Sequence, residues 1–562
     1  MAWKKRSPQI AYLESDHVIT KLAKIRGIKS TELDRYMNPT SKELHSPFLM
    51  KNIEIASERI VEAIRKNQRI AISNDCDTDG VCGMAQFVRY LRDCEHKNYY
   101  VTHNERSRGH GVHNQLDKIE NGTELLVIID SSSTEDSKDA IFSIISRGID
   151  VIILDHHDVE VDYHDLIPRV IMVNPQQIDC FYPNKHISGS TVVYKTLQMV
   201  DDIIGMGTVD DYLDLVAVGM YADVMRVDVL ENRYLIMQGM KNIRNIGLMS
   251  ILKVNDKLKE PVTSQTIGFT LAPSINGTMR LDKIEYVIKL LLEDDALVAY
   301  NIAKDIKKFN DQRKAEQKEI VERYLSHYVN PDNKVVVVID KDASKGYNGL
   351  VATTLAEKFK RPAIVMHVNQ DGECAGSFRA YGDFKMKKFL VSNFKFGKYA
   401  NTIKYAVGHE QAGGIGVHVS NLNALVSGMN AELANVHFDT DLEYDLEIAA
   451  DDLTTSFIQQ VEKFNFLTGK GFPTATFKVT GCTVLKRDVL GKERKDTVKI
   501  TCDNNLALMK FRTDSDWGLD IIDEDAWVNT VDVIGQLNVN VFVTRSGRRV
   551  TNQVFVEDYK KV

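Results

Sequence analysis

Acidic residues alternate with other residues in the segment NDCDTDGVCG, where Asp75, Asp77 and Asp79 precede Gly80. Carboxylates at alternate positions of a turning segment can direct their oxygens to one point, as a bound divalent cation requires. An EF-hand calcium loop also begins D-x-D-x-D-G, but it needs an acid at its twelfth position, and Gln86 stands there. A metal site of another kind and a purely structural turn are the two interpretations left open.

A second cluster, LDHHD, contains Asp155, His156 and His157. A lone histidine is more often structural than a ligand, but two adjacent histidines after an aspartate favour a metal site. Imidazole and carboxylate together suit manganese, iron or zinc better than calcium. Asp130 in IIDSSS and Asp223 in VAVGMYADVM supply two further carboxylates.

Short apolar runs of strand length precede three of these acids. The runs are RIAISND (69–75), ELLVIID (124–130), DVIILD (150–155) and RVIMVN (169–174), and helical stretches follow the first two. Strands alternating with helices predict an α/β fold with a parallel sheet. Because the carboxyl ends of parallel strands line one crevice, Asp75, Asp130 and Asp155 are expected at one edge, which is costly unless a cation binds there.

The rest of the sequence predicts four further regions. Residues 1–68 form a helical segment expected to pack on the parallel-sheet domain, which spans 69–240. Connecting helices follow at 241–330, with a break at 293–295. A second α/β domain is expected at 331–462. Several short strands at 463–562 favour a small closed β-barrel, with the OB-fold as the leading candidate.

Composition narrows the class of protein. The 562 residues are 43% hydrophobic and 27% charged, and the net charge is −7. This charge argues weakly against a protein that coats nucleic acid but allows one that grips a strand in a local groove. No apolar run approaches the roughly 18 residues of a membrane helix. The seven cysteines form no CxxC pair, so a reduced, cytoplasmic setting is expected.

Basic and aromatic residues interleave between positions 384 and 405. This stretch has six lysines, six aromatic residues and no acid, a composition typical of single-strand binding. The alternative is that the rings belong to a core and the lysines to a solvated face. The lysines proposed as substrate contacts are Lys385, Lys388, Lys395 and Lys398.

The last hundred residues contain a second basic group. It could grip nucleic acid, although a barrel of this kind can equally dock a protein. Its members are Lys478, Lys486, Arg487, Lys492, Arg494, Lys495 and Lys499.

The acidic and histidine segments together resemble the Asp-His-His (DHH) phosphoesterase superfamily, and within it the RecJ single-strand exonucleases. The order is shared: an acidic triplet, a lone Asp after a strand, Asp-His-His, then a distant Asp. Other segments are similar in the same order, among them LAPSINGTMRLD, GYNGLVATTLAEKF and the glycine-rich GHEQAGG (408–414). The chain departs from the family's usual residues at Cys76, Ser131, Ser132, Val407 and Met279, none of which is an expected ligand. Such divergence suits an outlying, virus-encoded member.

The resemblance implies two divalent cations, Mn²⁺ by preference or Mg²⁺, that share Asp130 as a bridge. Asp75 and Asp77 would complete one site. Asp79, His156 and Asp223 would complete the other. His157 would face the scissile phosphate, and Asp155 would support its neighbours from outside the metal shell. The catalytic residues are thus expected to be His157, Asp130 and Asp155.

The same resemblance implies contacts to a terminal phosphate from Arg280, Ser377, Arg379 and one of Arg106 and Arg108. The glycine-rich loop would add Gly408, His409, Gly413 and Gly414. The implied activity is 5′→3′ processive hydrolysis of single-stranded DNA to nucleoside 5′-monophosphates, in recombination, repair or replication. The expected partners are a single-strand binding protein or a helicase. We expect a monomer with no membrane contact. The alternative function is a phosphodiesterase for short oligonucleotides or cyclic dinucleotides; another is a binding protein that has lost its metals.

Overall fold

The computed structural model describes residues 2–7, 9–13, 15–105, 109–327, 329–330, 332–342, 346–438, 441–491, 495–522, 529–544 and 547–562. These form two compact units. One unit contains residues 1–45, 224–237 and 441–562, and the other contains 46–223 and 238–440. Within the described ranges, no helix is both long and apolar enough to cross a membrane.

A parallel five-stranded sheet lies at the centre of the first α/β domain, with strand order β3-β2-β4-β5-β6. Strands β4 and β5 are runs of Ile, Val and Leu because helices cover both faces of the sheet and leave no polar side. The edge strand β3 was not predicted, since its sequence YYVTH is only half-buried and lacks such a run. The strands are β2 (Ile70–Asn74), β3 (Tyr99–His103), β4 (Leu125–Ile129), β5 (Asp150–Leu154) and β6 (Val170–Val173).

Five helices follow or flank these strands. They are α3 (Ile53–Arg65), α4 (Thr78–Asp93), α5 (Lys138–Ser146), α6 (Gly189–Ile204) and α7 (Leu213–Ala222). Most of the next helix, α8 (Leu230–Lys241), belongs to the unit that contains the barrel, so the predicted 69–240 domain loses residues 224–237. Helix α4 is almost wholly buried, because both α6 and α7 pack on it. This packing holds the start of α4 firmly at the sheet edge.

The connecting segment is helical, with the expected interruption between α12 and α13. There the side chain of Asp295 accepts hydrogen bonds from the Leu297 and Val298 amides at 2.8 and 2.9 Å, which caps the next helix. The helices are α9 (Ile246–Val254), α10 (Ser264–Thr266), α11 (Ala272–Met279), α12 (Ile284–Leu292) and α13 (Ala296–His327).

The second α/β domain has a mixed sheet with strand order β10-β11-β9-β8-β7. Only β7 and β8 are parallel; β9, β10 and β11 add antiparallel strands that the glycine-rich sequence did not predict. The strands are β7 (Val336–Ile339), β8 (Ala363–Val368), β9 (Glu373–Arg379), β10 (Tyr405–Gly408) and β11 (Ala412–His418). The helices are α14 (Asn348–Phe359), α15 (Met386–Leu390) and α16 (Leu422–Glu432).

The C-terminal strands close into a barrel, which confirms the OB-fold prediction. Strand β14 pairs with both β15 and β17, and the circuit β14-β15-β16-β18-β17 returns to β14. The elements are β13 (Leu446–Ala449), α17 (Thr455–Phe464), β14 (Phe477–Leu490), β15 (Thr497–Cys502), β16 (Leu506–Phe511), β17 (Asn529–Thr544) and β18 (Gly547–Lys561).

The N-terminal residues differ from the prediction of a 1–68 segment on the parallel-sheet domain. Residues 1–45 belong instead to the unit that contains the barrel. Arg6 and Arg26 both form ion pairs with the fully buried Asp445. Strand β1 (Trp3–Lys5) pairs with β12 (Leu442–Tyr444), and the helices are α1 (Val18–Ile25) and α2 (Leu33–Met37). Residues 441–462 likewise join this unit, so the second α/β domain ends earlier than the predicted residue 462.

Candidate metal centre and substrate contacts

Three of the candidate ligands follow neighbouring strands at one edge of the parallel sheet. The last residues of β2, β4 and β5 are paired across the sheet in register. The next residues along the chain are Asp75, Asp130 and Asp155, and all three are buried. Side-by-side burial of carboxylates raises the free energy of the folded chain unless positive charge compensates it.

The start of α4 brings two more carboxylates to this edge. Asp77 is the N-cap residue, and its Oδ1 accepts a hydrogen bond from Gly80 N at 3.0 Å. Asp79 is buried in the first helical turn, where the helix dipole favours negative charge. A Cβ at Gly80 would lie 2.7 Å from the Asp75 carbonyl oxygen, so this close turn requires glycine.

Seven side chains form three overlapping groups, within each of which the ligand atoms lie less than 4.8 Å apart. The groups are Asp75, Asp77 and Asp130; Asp79, His156 and Asp223; and Asp130, His156 and His157. Asp130 is common to two of them, with its Oδ1 3.3 Å from His156 Nε2. This grouping is the one that two sites sharing a bridging carboxylate would need.

The surroundings of Asp130 disfavour a negative charge on its side chain. Burial, reinforced by Asp79, Asp77 and Asp223, raises its pKa well above the ordinary value. Its Oδ1 has no hydrogen-bond donor among the described residues. A carboxylate placed in this way ionises readily only when a cation lies beside it.

His156 supplies a neutral imidazole to the same point. Burial, reinforced by the charge of His157, lowers the pKa of His156 to about 4, while its ring forms a hydrogen bond to the backbone of Ile187. Its Nε2 has no hydrogen bond to any described residue, yet it lies 3.3 Å from Asp130 and 3.4 Å from Asp223. An imidazole lone pair facing two carboxylates is stable when a cation lies between them, so the donor set fits divalent cations.

Asp155 uses both carboxylate oxygens for hydrogen bonds. Oδ1 accepts from His156 N at 2.7 Å and from His157 Nδ1 at 2.8 Å, and Oδ2 accepts from Ser133 N at 3.1 Å. Although burial opposes its ionisation, the His157 charge and these donors lower the pKa of Asp155. Asp155 thus fixes the orientation of the His157 ring, and its supporting role at a metal site stays a prediction.

His157 is more exposed than His156, with 43% of its side chain accessible. Burial acts against its protonation, but the Asp155 charge and hydrogen bond outweigh that effect and raise the pKa of His157 to about 10. A protonated imidazole at the rim of an anionic site can donate a hydrogen bond to a phosphate oxygen.

The first turn of α6 holds Asp79, and the sequence did not predict it as part of the site. Gly189 N donates to Asp79 Oδ2 at 2.6 Å, and the Ser190 hydroxyl donates to Oδ1 at 2.5 Å. A Cβ at Gly189 would lie 2.5 Å from Asp130 Oδ1, and one at Gly219 would lie 2.6 Å from Asp79 Oδ1. The small-residue run ISGS was the signal available in the sequence.

His110 was also missed, since the sequence presents it as a single histidine between two glycines. Its Nδ1 lies 2.5 Å from Asp75 Oδ2. Asn104 donates to the carbonyls of both flanking glycines, and Asn114 donates to the His110 carbonyl at 2.7 Å. Both glycines have positive φ, 94° and 88°, which other residues rarely adopt. The loop is therefore braced to hold this ring against Asp75.

The residues expected at a terminal phosphate lie around the start of α14. Arg280 Nη1 donates to the Gly346 carbonyl at 3.0 Å. A Cβ at Gly349 would lie 2.5 Å from Arg379 Nη2 and 3.6 Å from Ser377 Oγ. The start of α14 therefore lies next to these side chains, and the amides at a helix N-terminus attract anions. Arg106 and Arg108 lie outside the described residues.

The glycine-rich loop lies beside the same cluster. It forms the β10–β11 hairpin, in which Gly408 pairs with Gly413, and Gly414 of β11 pairs with Ser377 of β9. The backbone of His409 closes the turn. A Cβ at Gly413 would lie 2.6 Å from the Phe378 ring, so glycine is required for this hairpin to pack on β9.

The interpretation of residues 384–405 as rings for base stacking needs correction. Phe394 is fully buried, and Phe384, Phe389 and Tyr399 pack against the same core. Phe396 is 72% exposed and lies beside Lys395. The alternative, in which the rings belong to a core and the lysines to a solvated face, describes most of this stretch.

The lysines of this stretch differ in their surroundings. Lys398 forms an ion pair with Glu432 at 2.8 Å, an acid that is distant in sequence. The backbone amide of Lys388 donates to Glu410 at 3.2 Å, and Lys385 is the N-cap residue of α15. Their role as substrate contacts stays a prediction.

Several basic residues of the barrel are engaged within it. Lys478 pairs with Glu447 at 3.0 Å and Lys486 with Asp488 at 2.5 Å. Arg487 donates to the backbone of Trp517. Lys492 and Arg494 lie outside the described residues. These pairings weaken the case for this basic group as a nucleic-acid grip.

Profiles of two protein domains match the chain. The N-terminal domain of the DHH family matches residues 69–220, and the RecJ OB domain matches residues 444–553.

Curated relatives extend over most of the chain. A putative single-strand DNA-specific exonuclease, YorK of Bacillus phage SPbeta, is 24% identical, and the alignment covers 93% of each protein. RecJ of Haemophilus influenzae is 27% identical over 84% of this chain and 85% of its own length. RecJ of Bacillus subtilis is 26% identical over 81% of this chain, which spans only 57% of that relative.

A solved structure has the same fold. The crystal structure of Thermus thermophilus RecJ in complex with Mn²⁺ superposes with a TM-score of 0.75 at 22% identity, over 97% of this chain and 76% of that one. The chain thus contains a DHH-family N-terminal domain and a RecJ-type OB domain. It is similar to YorK and to RecJ proteins over most of its length.

Proposed function

We propose that this protein is a metal-dependent exonuclease that hydrolyses phosphodiester bonds of single-stranded DNA. The observation that carries this proposal is that the group Asp75, Asp77 and Asp130 lies beside the group Asp79, His156 and Asp223. Asp130 Oδ1 is 3.3 Å from His156 Nε2 and so connects the two groups. RecJ relatives described as single-stranded-DNA-specific exonucleases support the choice of substrate. We further propose 5′→3′ processive digestion that releases nucleoside 5′-monophosphates.

The proposed ligands are Asp75 and Asp77 at one site, Asp79, His156 and Asp223 at the other, and Asp130 between them. Two divalent cations there would lower the pKa of a water nucleophile and neutralise charge on the reacting phosphate. Asp155 keeps His157 protonated and oriented through its 2.8 Å hydrogen bond. His157 would donate a hydrogen bond from its other ring nitrogen, Nε2, to a non-bridging phosphate oxygen and hold the strand in place.

The cluster around the start of α14 supports a substrate with a terminal phosphate. Arg280 and Arg379 offer planar guanidinium groups that suit phosphate oxygens, and Ser377 offers a hydroxyl. The connecting helices and the OB domain favour a polymer over a cyclic dinucleotide, because a small ligand needs neither.

The test uses Asp77→Ala and His156→Ala with Asp139→Ala, an exposed aspartate of α5, as a matched control. Each purified protein is incubated with Mn²⁺ and a 5′-labelled single strand, a blunt duplex or a dinucleotide. We expect the two site variants to lose cleavage but keep single-strand binding in EDTA, while the control digests only the single strand. Full nuclease activity in either site variant would contradict the metal assignment, and preferential cleavage of the dinucleotide would contradict the substrate.

The oligomeric state and the protein partners are also part of the proposal. We propose a monomer that works with a single-strand binding protein or a helicase, because a single-strand exonuclease needs an exposed strand. Light scattering on the purified protein tests the first point. Stimulation of duplex digestion by an added helicase tests the second.

A further inference from the structure

The start of α14 lies between two arginines of the cluster expected to bind a terminal phosphate. Arg280 Nη1 donates to the Gly346 carbonyl at 3.0 Å. A Cβ at Gly349 would lie 2.5 Å from Arg379 Nη2, so the second guanidinium packs against the first turn of the helix. The position of residues 346–349, here called the anchor turn, therefore affects where both guanidinium groups lie.

Tyr347 ties the anchor turn to the long helix α13. It is the N-cap residue of α14 and is only 6% exposed. Its hydroxyl donates to Glu316 Oε2, and Glu316 Oε1 accepts from Gln312 Nε2 at 2.8 Å. Burial, reinforced by Glu316, raises the pKa of Tyr347, so the hydroxyl keeps its proton and remains a donor at neutral pH. Displacement of the ring would leave this buried donor unpaired, which opposes movement of the turn.

A second chain of hydrogen bonds holds α13 to the helices on either side of it. Arg313 is buried and donates to Asn310 and Gln317 at 2.8 Å each. Gln317 donates onward to Thr354 of α14 at 3.2 Å. Asn310 lies against α11, where a Cβ at Gly277 would be 2.6 Å from Asn310 Oδ1. Helix α13 is therefore fixed against both α11 and α14.

We propose that Glu316 and Tyr347 are positioning residues for the 5′-terminal phosphate of the DNA strand. Their hydrogen bond holds the anchor turn where Arg280 and Arg379 can bind the phosphate together. The inference rests on the proposed function, since it takes the terminal phosphate of the same substrate as ligand. Glu316 acts through Tyr347 and not on the strand, because a carboxylate in direct contact would repel a phosphate.

The test measures binding, in EDTA, of two 3′-labelled hexathymidylates that differ only in a 5′-phosphate or a 5′-hydroxyl group. The ratio of the two affinities is the phosphate preference. Glu319→Ala is the matched control, because Glu319 is an exposed acid on the same helix. The variants are Tyr347→Phe, Glu316→Ala, Glu316→Gln and the double variant Tyr347→Phe/Glu316→Ala.

Tyr347→Phe and Glu316→Ala should each lower the phosphate preference by about tenfold, because a displaced guanidinium loses charged hydrogen bonds to the phosphate. The double variant should lower it no further, since both changes remove the same hydrogen bond. Glu316→Gln keeps an acceptor for the tyrosine hydroxyl and should retain most of the preference, and the control should keep the wild-type ratio. In digestion with Mn²⁺, the loss should fall on KM for the phosphorylated strand rather than on kcat.

The wild type separates this inference from the proposed function. If it binds neither strand, or binds both equally, the substrate or the terminal-phosphate contacts of the proposed function fail, and this inference fails with them. If it prefers the phosphate and the variants keep its ratio, the positioning role is overturned and the proposed function stands. Equal loss of affinity for both strands also overturns the role, as does a loss of preference in Glu316→Gln as large as that in Glu316→Ala.

Discussion

Asp130 lies where the ends of β2, β4 and β5 meet the start of α4. Its burial among other carboxylates destabilises the metal-free protein. Since the folded state raises the pKa of Asp130, folding favours its protonated form. Stability of the metal-free protein should therefore fall as the pH rises above the pKa of an unfolded aspartate.

Asp130→Asn should raise the melting temperature of the metal-free protein at pH 7. An amide has neither the buried charge of the carboxylate nor the free-energy cost of protonating it. The substitution should also abolish the increase in melting temperature that Mn²⁺ gives to the wild type, since binding to the folded state is lost. Differential scanning fluorimetry with and without Mn²⁺ measures both. A variant that Mn²⁺ still stabilises would show that Asp130 is not a ligand.

His110 is expected to orient Asp75 for metal binding. A carboxylate can hold a cation through one oxygen while the other accepts from an imidazole, and such supporting contacts change metal affinity by about 10- to 100-fold. His110→Ala should weaken Mn²⁺ binding, measured by calorimetry without DNA, within that range. His110→Asn, which keeps a donor at similar reach, should recover part of the affinity. Equal affinity in all three proteins would leave His110 with no positioning role.

The short helix α2 is held to the segment that follows it by Arg35 and Glu43. Arg35 of α2 contacts both carboxylate oxygens of Glu43, at 2.9 and 2.6 Å, and Glu43 is buried. The Arg35 hydrogen bonds lower the pKa of Glu43. A depressed folded-state pKa means that this stabilisation is complete above the unfolded pKa, whose value is 4.5, and is lost as the pH falls through the folded pKa.

Glu43→Gln should therefore lower the free energy of unfolding at pH 7, and this cost should shrink as the pH is lowered below about 4.5. Urea denaturation of wild type and variant across this range gives the difference directly. The double variant with Arg35→Ala isolates the pair from the pH dependence of other groups. A cost that stays constant with pH would mean that packing, and not charge, fixes this segment.

At the scale of the whole molecule, the first 45 residues and the last 122 form one unit. Their joint core includes the ion pairs of Arg6 and Arg26 with Asp445. Strand β1 has its pairing partner in β12, at residues 442–444. The N-terminal segment therefore depends on residues that lie more than 400 positions further along the chain.

Deletion of residues 441–562 should make residues 1–45 sensitive to protease, because β1 and the buried face of α1 lose what covers them. Limited trypsin digestion, followed by mass spectrometry, compares the truncated and full chains. Cleavage should concentrate before residue 46 in the truncated chain and leave residues 46–223 intact. Equal protection of 1–45 in both proteins would show that this segment folds without the C-terminal unit.

The sequence alone determined the α/β class, the parallel strands and the closing barrel, because continuous Val and Ile runs and alternating short strands are local signals. It also singled out Asp75, Asp130 and Asp155, since acids after buried strands share an edge whatever the rest of the fold does.

Only the tertiary structure decided which side chains and backbone groups contact Asp75, Asp130 and Asp155. The contact of His110 with Asp75 and the fit of Gly189 against Asp130 join segments 35 to 59 positions apart in the chain, and no local spacing encodes them. The inward rotation of Phe394 and the dependence of residues 1–45 on the C-terminal strands were decided in the same way. Burial and ion pairing depend on what packs against a segment, and that is settled by the whole folded chain.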